Sequence, residues 1–197
     1  MTTKSKVVTR NKLNHPKVIA ISGASGSGKT TIIKRLGEKF DCPFLLFDDH
    51  TNKDTYPTDM KAWFKGGANV SQIKTPALAS SLAELLSINR RPYVFIEEPF
   101  GKERDTMSSL IDYVILLDQP LELCLARIIK RHLDTPSSNT LDSISGFVNK
   151  YEEYLRDIYK CCVTQVKSNC DLIIDEVSSI EETSNMICDW LNDITEK

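Results

Sequence analysis

Apolar and polar positions alternate along this chain in two rhythms. Short, wholly apolar runs occur at Val18-Ile19-Ala20-Ile21, Phe44-Leu45-Leu46-Phe47, Tyr93-Val94-Phe95-Ile96, Tyr113 to Leu117 and Leu172-Ile173-Ile174. Runs of this length with no polar interruption predict strands buried on both faces. Between them the apolar residues recur at helical spacing. Ile32, Ile33, Leu36 and Phe40 form one stripe, and Leu78, Leu82, Leu85 and Leu86 a second behind Pro76 at a first helical position. Leu121, Cys124, Leu125, Ile128 and Ile129 form a third behind Pro120. A long fourth runs through Ile144, Phe147, Val148, Tyr151, Leu155, Ile158, Cys162 and Val166. Asp59 to Lys65 predicts a short helix stopped by Gly66-Gly67, and Leu133 to Asp142 a polar loop. Ser179-Ile180-Glu181-Glu182 is a capping box that opens a last helix through Ile187, Trp190 and Leu191.

Strands alternating with helices predict an α/β fold, a mostly parallel sheet with helices on both faces. There is no internal repeat and no Pro/Gly-rich linker. Residues 17–197 therefore read as one domain, behind a polar, basic and flexible tail at residues 1–16. A net charge of −2 gives no electrostatic footprint for nucleic acid or a membrane surface, and no apolar run approaches the roughly 20 residues of a membrane span. Without a secretory signal pattern, the expected location is the cytoplasm. The six cysteines lack CxxC spacing and read as free thiols, with Cys124, Cys162 and Cys188 on apolar helix faces.

The chemistry gathers around Gly23-Ala24-Ser25-Gly26-Ser27-Gly28-Lys29-Thr30, set between the first strand and the first helix. This is a phosphate-binding loop in its required context. Glycines bring backbone N–H groups close to a triphosphate, and the helix N-terminus adds positive potential. Lys29 supplies a point charge for the outer phosphates, and Thr30 a hydroxyl for Mg²⁺. Thr31 continues the nucleotide-facing segment. Together these predict binding of ATP with Mg²⁺.

In open parallel sheets, ligands sit beyond the carboxyl ends of the strands. Asp48-Asp49 and Glu97-Glu98 occupy such ends. Neighbouring residues on an extended chain point to opposite sides, so one of Asp48 and Asp49 faces the loop, and Asp48 is the first residue clear of the sheet. A carboxylate there takes a proton from an attacking hydroxyl and reaches Mg²⁺ through water. Glu97 is the second metal-facing carboxylate. Arg127 and Arg131 share a helix face next to a polar loop, a pattern suited to a lid over phosphates and equally to a charged surface. Tyr56, Asp59, Trp63 and Arg104 are weaker substrate candidates; Trp63 and Phe64 also read as core anchors, and His50 and His132 as solvated surface.

Ile19 to Thr31, Asp48-Asp49, Ile96-Glu97, Leu117-Asp118-Gln119-Pro120-Leu121, Ala126-Arg127 and Lys130-Arg131 together resemble the uridine kinases and their relatives, the nicotinamide riboside kinases and phosphoribulokinases. The resemblance runs from about Lys17 to Leu133. It implies a P-loop NTPase of the nucleoside monophosphate kinase type: a three-layer sandwich whose five-stranded parallel sheet has the order 2-3-1-4-5, with a short lid. It implies an enzyme that transfers a γ-phosphate to a hydroxyl, most readily of a nucleoside. Asp48 is then the base, Lys29, Arg127 and Arg131 assist transfer, and Thr30, Glu97 and Asp48 serve the metal. His50-Thr51 replaces an aromatic pair usual in that family, and Glu98-Pro99 follows Glu97 where a glycine is usual. Three readings therefore stay open: a nucleoside kinase, a kinase for a nucleotide, sugar or vitamin, and a nucleotide-binding regulatory ATPase. The expected partner is a small-molecule acceptor, for a monomer or a homodimer.

Overall fold

A computed structural model describes residues 16–135 and 139–195. The expected tail lies outside the described residues except for Pro16, as does the middle of the expected polar loop.

Five strands form one parallel sheet in the order β2-β3-β1-β4-β5. They are β1 (Lys17–Ser22), β2 (Phe44–Leu45), β3 (Tyr93–Glu97), β4 (Tyr113–Leu117) and β5 (Leu172–Ile174). The register sets Ile21 beside Glu97 on one side and beside Ile115 on the other. Connecting them are α1 (Lys29–Phe40), α2 (Met60–Lys65), α3 (Pro76–Ile88), α4 (Asp105–Ser108), α5 (Leu121–Asp134), α6 (Thr140–Lys150), α7 (Arg156–Lys167) and α8 (Ile180–Thr195). A π-helical turn over Tyr151–Leu155 joins α6 and α7, so the long helix of the apolar stripe is continuous but widened and underwound at its middle. α5 reaches Asp134 and α6 starts at Thr140, which makes the expected polar loop shorter than its composition suggests.

The wholly apolar strands have a direct physical reason. Val18 and Ala20 face one layer with Val94, Ile96, Val114 and Leu116, against Leu78 and Leu82 of α3 and Ile158 and Val166 of α7. Ile19 and Ile21 face the other with Phe95, Ile115 and Leu117, against Ile32, Ile33 and Leu36 of α1 and Ile187 and Leu191 of α8. With helices on both sides, neither strand face can be polar. Each such Ile or Leu contributes about 1.5–3 kcal/mol by leaving water. The capping box forms as expected: Ser179 N–H donates to Glu182 Oε2 at 2.8 Å, and Glu182 N–H donates to Ser179 Oγ at 3.2 Å.

The second strand is shorter than its apolar run. It pairs only with β3, through Phe44 and Leu45, and Phe44 is partly exposed at the sheet edge. Leu46 and Phe47 leave the sheet because Phe47 turns inward to pack edge-on against Phe100, with ring centroids 6.0 Å apart. Asp48–His50 then form a 3₁₀ turn. The opposite-facing geometry expected for Asp48 and Asp49 on an extended chain is thereby corrected.

Candidate active site

The loop after β1 wraps tightly before α1. Gly26 and Gly28 have φ of +83° and +104°, a backbone region that favours glycine. A Cβ on Gly26 would stand 2.3 Å from the carbonyl oxygen of Cys124, so α5 sits directly against the loop. Gly28 precedes α1 without any side-chain cap, and the first turn of α1 carries no acidic residue. The N–H groups and the dipole of this helix are left for an anion.

Three side chains meet inside the loop. Lys29 is only 6% exposed and donates from Nζ to the Ala24 carbonyl at 2.9 Å. Its ammonium lies 3.6 Å from Glu97 Oε1. Thr30 Oγ1 donates to Glu97 Oε2 at 3.1 Å. Burial lowers the Lys29 pKa, and the charges of Glu97 and Asp48 act the other way. The oxygens of Thr30, Glu97 and Asp48 are hard donors, which suits Mg²⁺ completed by water and phosphate.

Two cavities meet at this point. The first, of about 580 Å³, runs along Ser25 to Ile32 and out between Arg127, Lys130 and Arg131 of α5 and the segment Ser178, Ile180 and Thr183. Arg127 Nη1 reaches the carbonyls of Gly26 and Ser27, both at 3.4 Å. The expected basic face of α5 thus points at the phosphate loop. The second cavity, of about 470 Å³, opens on the other side of Lys29 and is walled mostly by rings and aliphatic groups. Ser25, Lys29, Asp48 and Glu97 line both cavities. Asp49 lines neither.

The four substrate candidates separate. Tyr56 and Trp63 line the second cavity. Tyr56 is 45% exposed, yet the desolvating cleft around its phenol, with the Asp48 charge, pushes it up to about 12. Trp63 is buried, and its Nε1–H donates to the Asn69 carbonyl at 2.9 Å, so it offers the cavity an apolar surface while serving as the core anchor its pattern suggests. Asp59 instead caps α2, accepting from Lys61 N–H at 3.0 Å and Ala62 N–H at 2.9 Å. Arg104 is fully buried and engages Glu98, so it lines neither cavity. Sequence reading missed Phe147, Lys150, Tyr154 and Tyr159, which reach the second cavity from α6, the π turn and α7. Burial pushes the Tyr159 phenol up to about 12 as well. His50 is half-buried and donates from Nδ1 to the Leu46 carbonyl at 2.8 Å. The described cysteines are all free thiols.

No family model matches the chain. Among curated proteins, it is 23% identical over 193 residues to a uridine kinase from Staphylococcus epidermidis, covering 85% of this chain and 91% of that protein. It is 25% identical over 182 residues to a uridine kinase from Borrelia duttonii, covering 81% and 86%. Among solved structures, a deoxyadenosine kinase from M. mycoides superposes with a TM-score of 0.53 at 18% identity, over 89% of this chain and 99% of that one. Sheet order, phosphate loop and these likenesses define a P-loop kinase. Within that class the chain is distantly similar to the uridine kinases over most of its length. Among the described residues, no helix is long and apolar enough to cross a membrane.

Proposed function

We propose that the protein is an ATP-dependent kinase that transfers the γ-phosphate to the hydroxyl of a small molecule, a nucleoside first. One observation carries the reading: Ser25, Lys29, Asp48 and Glu97 form the boundary shared by a phosphate-lined cavity and a ring-lined cavity. A phosphoryl group passing from one to the other crosses that boundary. Asp48 stands there, with no cation bonded to it among the described residues, and accepts the proton of an acceptor hydroxyl as it attacks. Lys29 and the loop amides hold the outer phosphates. Thr30 and Glu97 would hold Mg²⁺, which would neutralise charge on the phosphates when bound. Arg127 and Arg131 bring positive charge over the transferred group from α5. The aromatic walls suit a flat base, and the uridine and deoxyadenosine kinases it resembles are named for nucleosides. We place the enzyme in the cytoplasm, as a monomer or homodimer acting on a soluble metabolite.

The test is ADP release with ATP and Mg²⁺ against nucleosides, nucleotides, sugars and vitamin alcohols. A large rise with a nucleoside is expected. A rise confined to another class overturns the acceptor, and a flat panel with ATP still bound overturns the kinase reading.

A further inference from the structure

Glu98 and Arg104 are both fully shielded from solvent and form a two-pronged ion pair. Arg104 Nε donates to Glu98 Oε1 at 3.0 Å, and Nη2 donates to Glu98 Oε2. The remaining guanidinium nitrogen, Nη1, donates to the Ile73 carbonyl at 2.9 Å and to Thr75 Oγ1 at 2.8 Å. Thr75 stands at the N-cap of α3, but its side chain caps nothing in that helix. Its hydroxyl oxygen is used by Arg104. The flat faces of the guanidinium also meet rings: its Cζ lies 5.3 Å from the centre of Phe47 and 5.8 Å from that of Phe100.

A buried ion pair of this kind seldom exists for stability alone, because desolvating two charges cancels most of their attraction. What this pair touches is more informative. Ile73, Phe47 and Phe100 all line the ring-walled cavity, and Arg104 does not. Phe47 is the residue before Asp48, and the His50 N–H closes the same turn onto the Phe47 carbonyl at 3.0 Å. Glu98 itself follows Glu97 and is fixed to β1, where Glu98 N–H donates to the Ile21 carbonyl at 3.2 Å. One guanidinium therefore ties the end of β3, the turn carrying Asp48 and the approach to α3 into a single unit beneath the cavity.

We infer that Arg104, clamped by Glu98, is a positioning residue that sets the floor of the acceptor cavity and the placement of Asp48. It acts through Phe47, Phe100 and Ile73 and touches neither substrate. Glu98 is needed because an unpaired guanidinium could not stay at this depth. A lysine cannot replace the fork, since it offers one point charge where four directional donors and a stacking plane are used. The inference rests on the kinase reading for its kinetic consequences, and its structural consequence stands apart from that reading.

The experiment compares Arg104→Lys with wild type, using uridine as the acceptor probe and ATP with Mg²⁺, alongside amide hydrogen exchange. A merely structural role would lower the active fraction and leave both KM values alone. A positioning role is expected to raise the KM for uridine several-fold and to lower kcat by roughly 10²-fold, the scale of a misplacement near 1 Å. The KM for ATP stays within about twofold, because Arg104 does not line the cavity along the phosphate loop. Exchange is expected to quicken over residues 47–50 and 73–75 and to stay unchanged over 22–36. If Arg104→Lys does not fold, the Glu98→Gln/Arg104→Met pair, which removes both charges and keeps the volume, is read in the same way. Uridine kinetics within twofold of wild type, or exchange unchanged over 47–50, overturns the inference. Localised quickening in a protein that phosphorylates nothing overturns the kinase reading and leaves Arg104 in its positioning role.

Discussion

Gly26→Ala and Gly28→Ala separate two ways in which a side chain defeats the phosphate loop. Both positions have positive φ, which costs an L-residue roughly 1–2 kcal/mol. Only at Gly26 does the new methyl also meet backbone, the Cys124 carbonyl oxygen at 2.3 Å. A backbone oxygen cannot swing aside as a side chain can, so α5 or the loop must shift, an overpacking cost of about 1–3 kcal/mol. At Gly28 nothing stands within 4 Å of the new methyl. In a domain of this size each kcal/mol moves Tm by roughly 2–4 °C. Gly26→Ala therefore melts below Gly28→Ala by roughly 2–12 °C, measured by far-ultraviolet circular dichroism without nucleotide. Binding separates the pair a second way. Both glycines line the first cavity, but the Gly26 methyl points at Cys124 of α5, whereas the Gly28 methyl enters the open space in which an anion would approach the amides. Losing one charge-assisted amide contact costs about 1.5–3 kcal/mol, or roughly 10- to 100-fold in affinity for a fluorescent ATP analogue. Equal melting of the two variants, or a Gly28→Ala protein that binds the analogue as wild type does, would refute the reasoning.

Asp48→Asn keeps the shape of the site and removes its proton acceptor, so kcat is expected to fall by roughly 10²–10⁴ while ATP affinity is nearly unchanged; normal turnover would exclude Asp48 as the base. Burial pushes the Cys162 thiol up to about 12 from 9.0. The folded state then holds this proton when the unfolded chain has lost it, so the stability concerned is complete below pH 9 and is lost as pH rises toward 12. At about 1.4 kcal/mol per unit this is a few kcal/mol, and urea unfolding of Cys162→Ala between pH 8 and 10.5 should show a shallower decline than wild type. Ser179→Ala opens the capping box of α8 at a cost of about 1 kcal/mol, a fall of roughly 2–4 °C in Tm; an unchanged melt would mean the box contributes nothing.

What the amino-acid order discloses here depends on how far apart the cooperating residues lie. The phosphate loop, the capping box and the two-faced burial of the strands are local or periodic facts, and each is legible because neighbouring residues carry all of it. The sheet order is different: alternation implies a parallel sheet, but the order of its strands came through family resemblance. Singling out Asp48 assumes an extended chain that the structure does not have. An extended chain would have turned it away from Asp49, whereas a 3₁₀ turn presents it. The turn exists because Phe47 is drawn beneath the sheet edge toward Phe100 and Arg104, residues more than fifty positions away. Arg104 itself looked like a substrate contact because a lone arginine after a strand-end acidic pair shows no partner in the sequence; its pairing with Glu98 and Thr75 is purely tertiary. The ring wall of the acceptor cavity was hidden for the opposite reason. Phe147 belongs to the apolar stripe of one long helix and passes for core, while Tyr154 and Tyr159 lie on the same helix outside that stripe. The usable signal was the tyrosines, since a helix meant only for packing gains nothing from phenol hydroxyls that must be desolvated. The π turn at Tyr151–Leu155 carries Tyr154 and Leu155, and both line the cavity. Insertions of this kind recur at functional sites because they redirect side chains without ending a helix. The phosphate loop is thus written in one segment, whereas the ring-walled cavity beside it is assembled from segments far apart in the chain, which is why the first is legible residue by residue and the second is not.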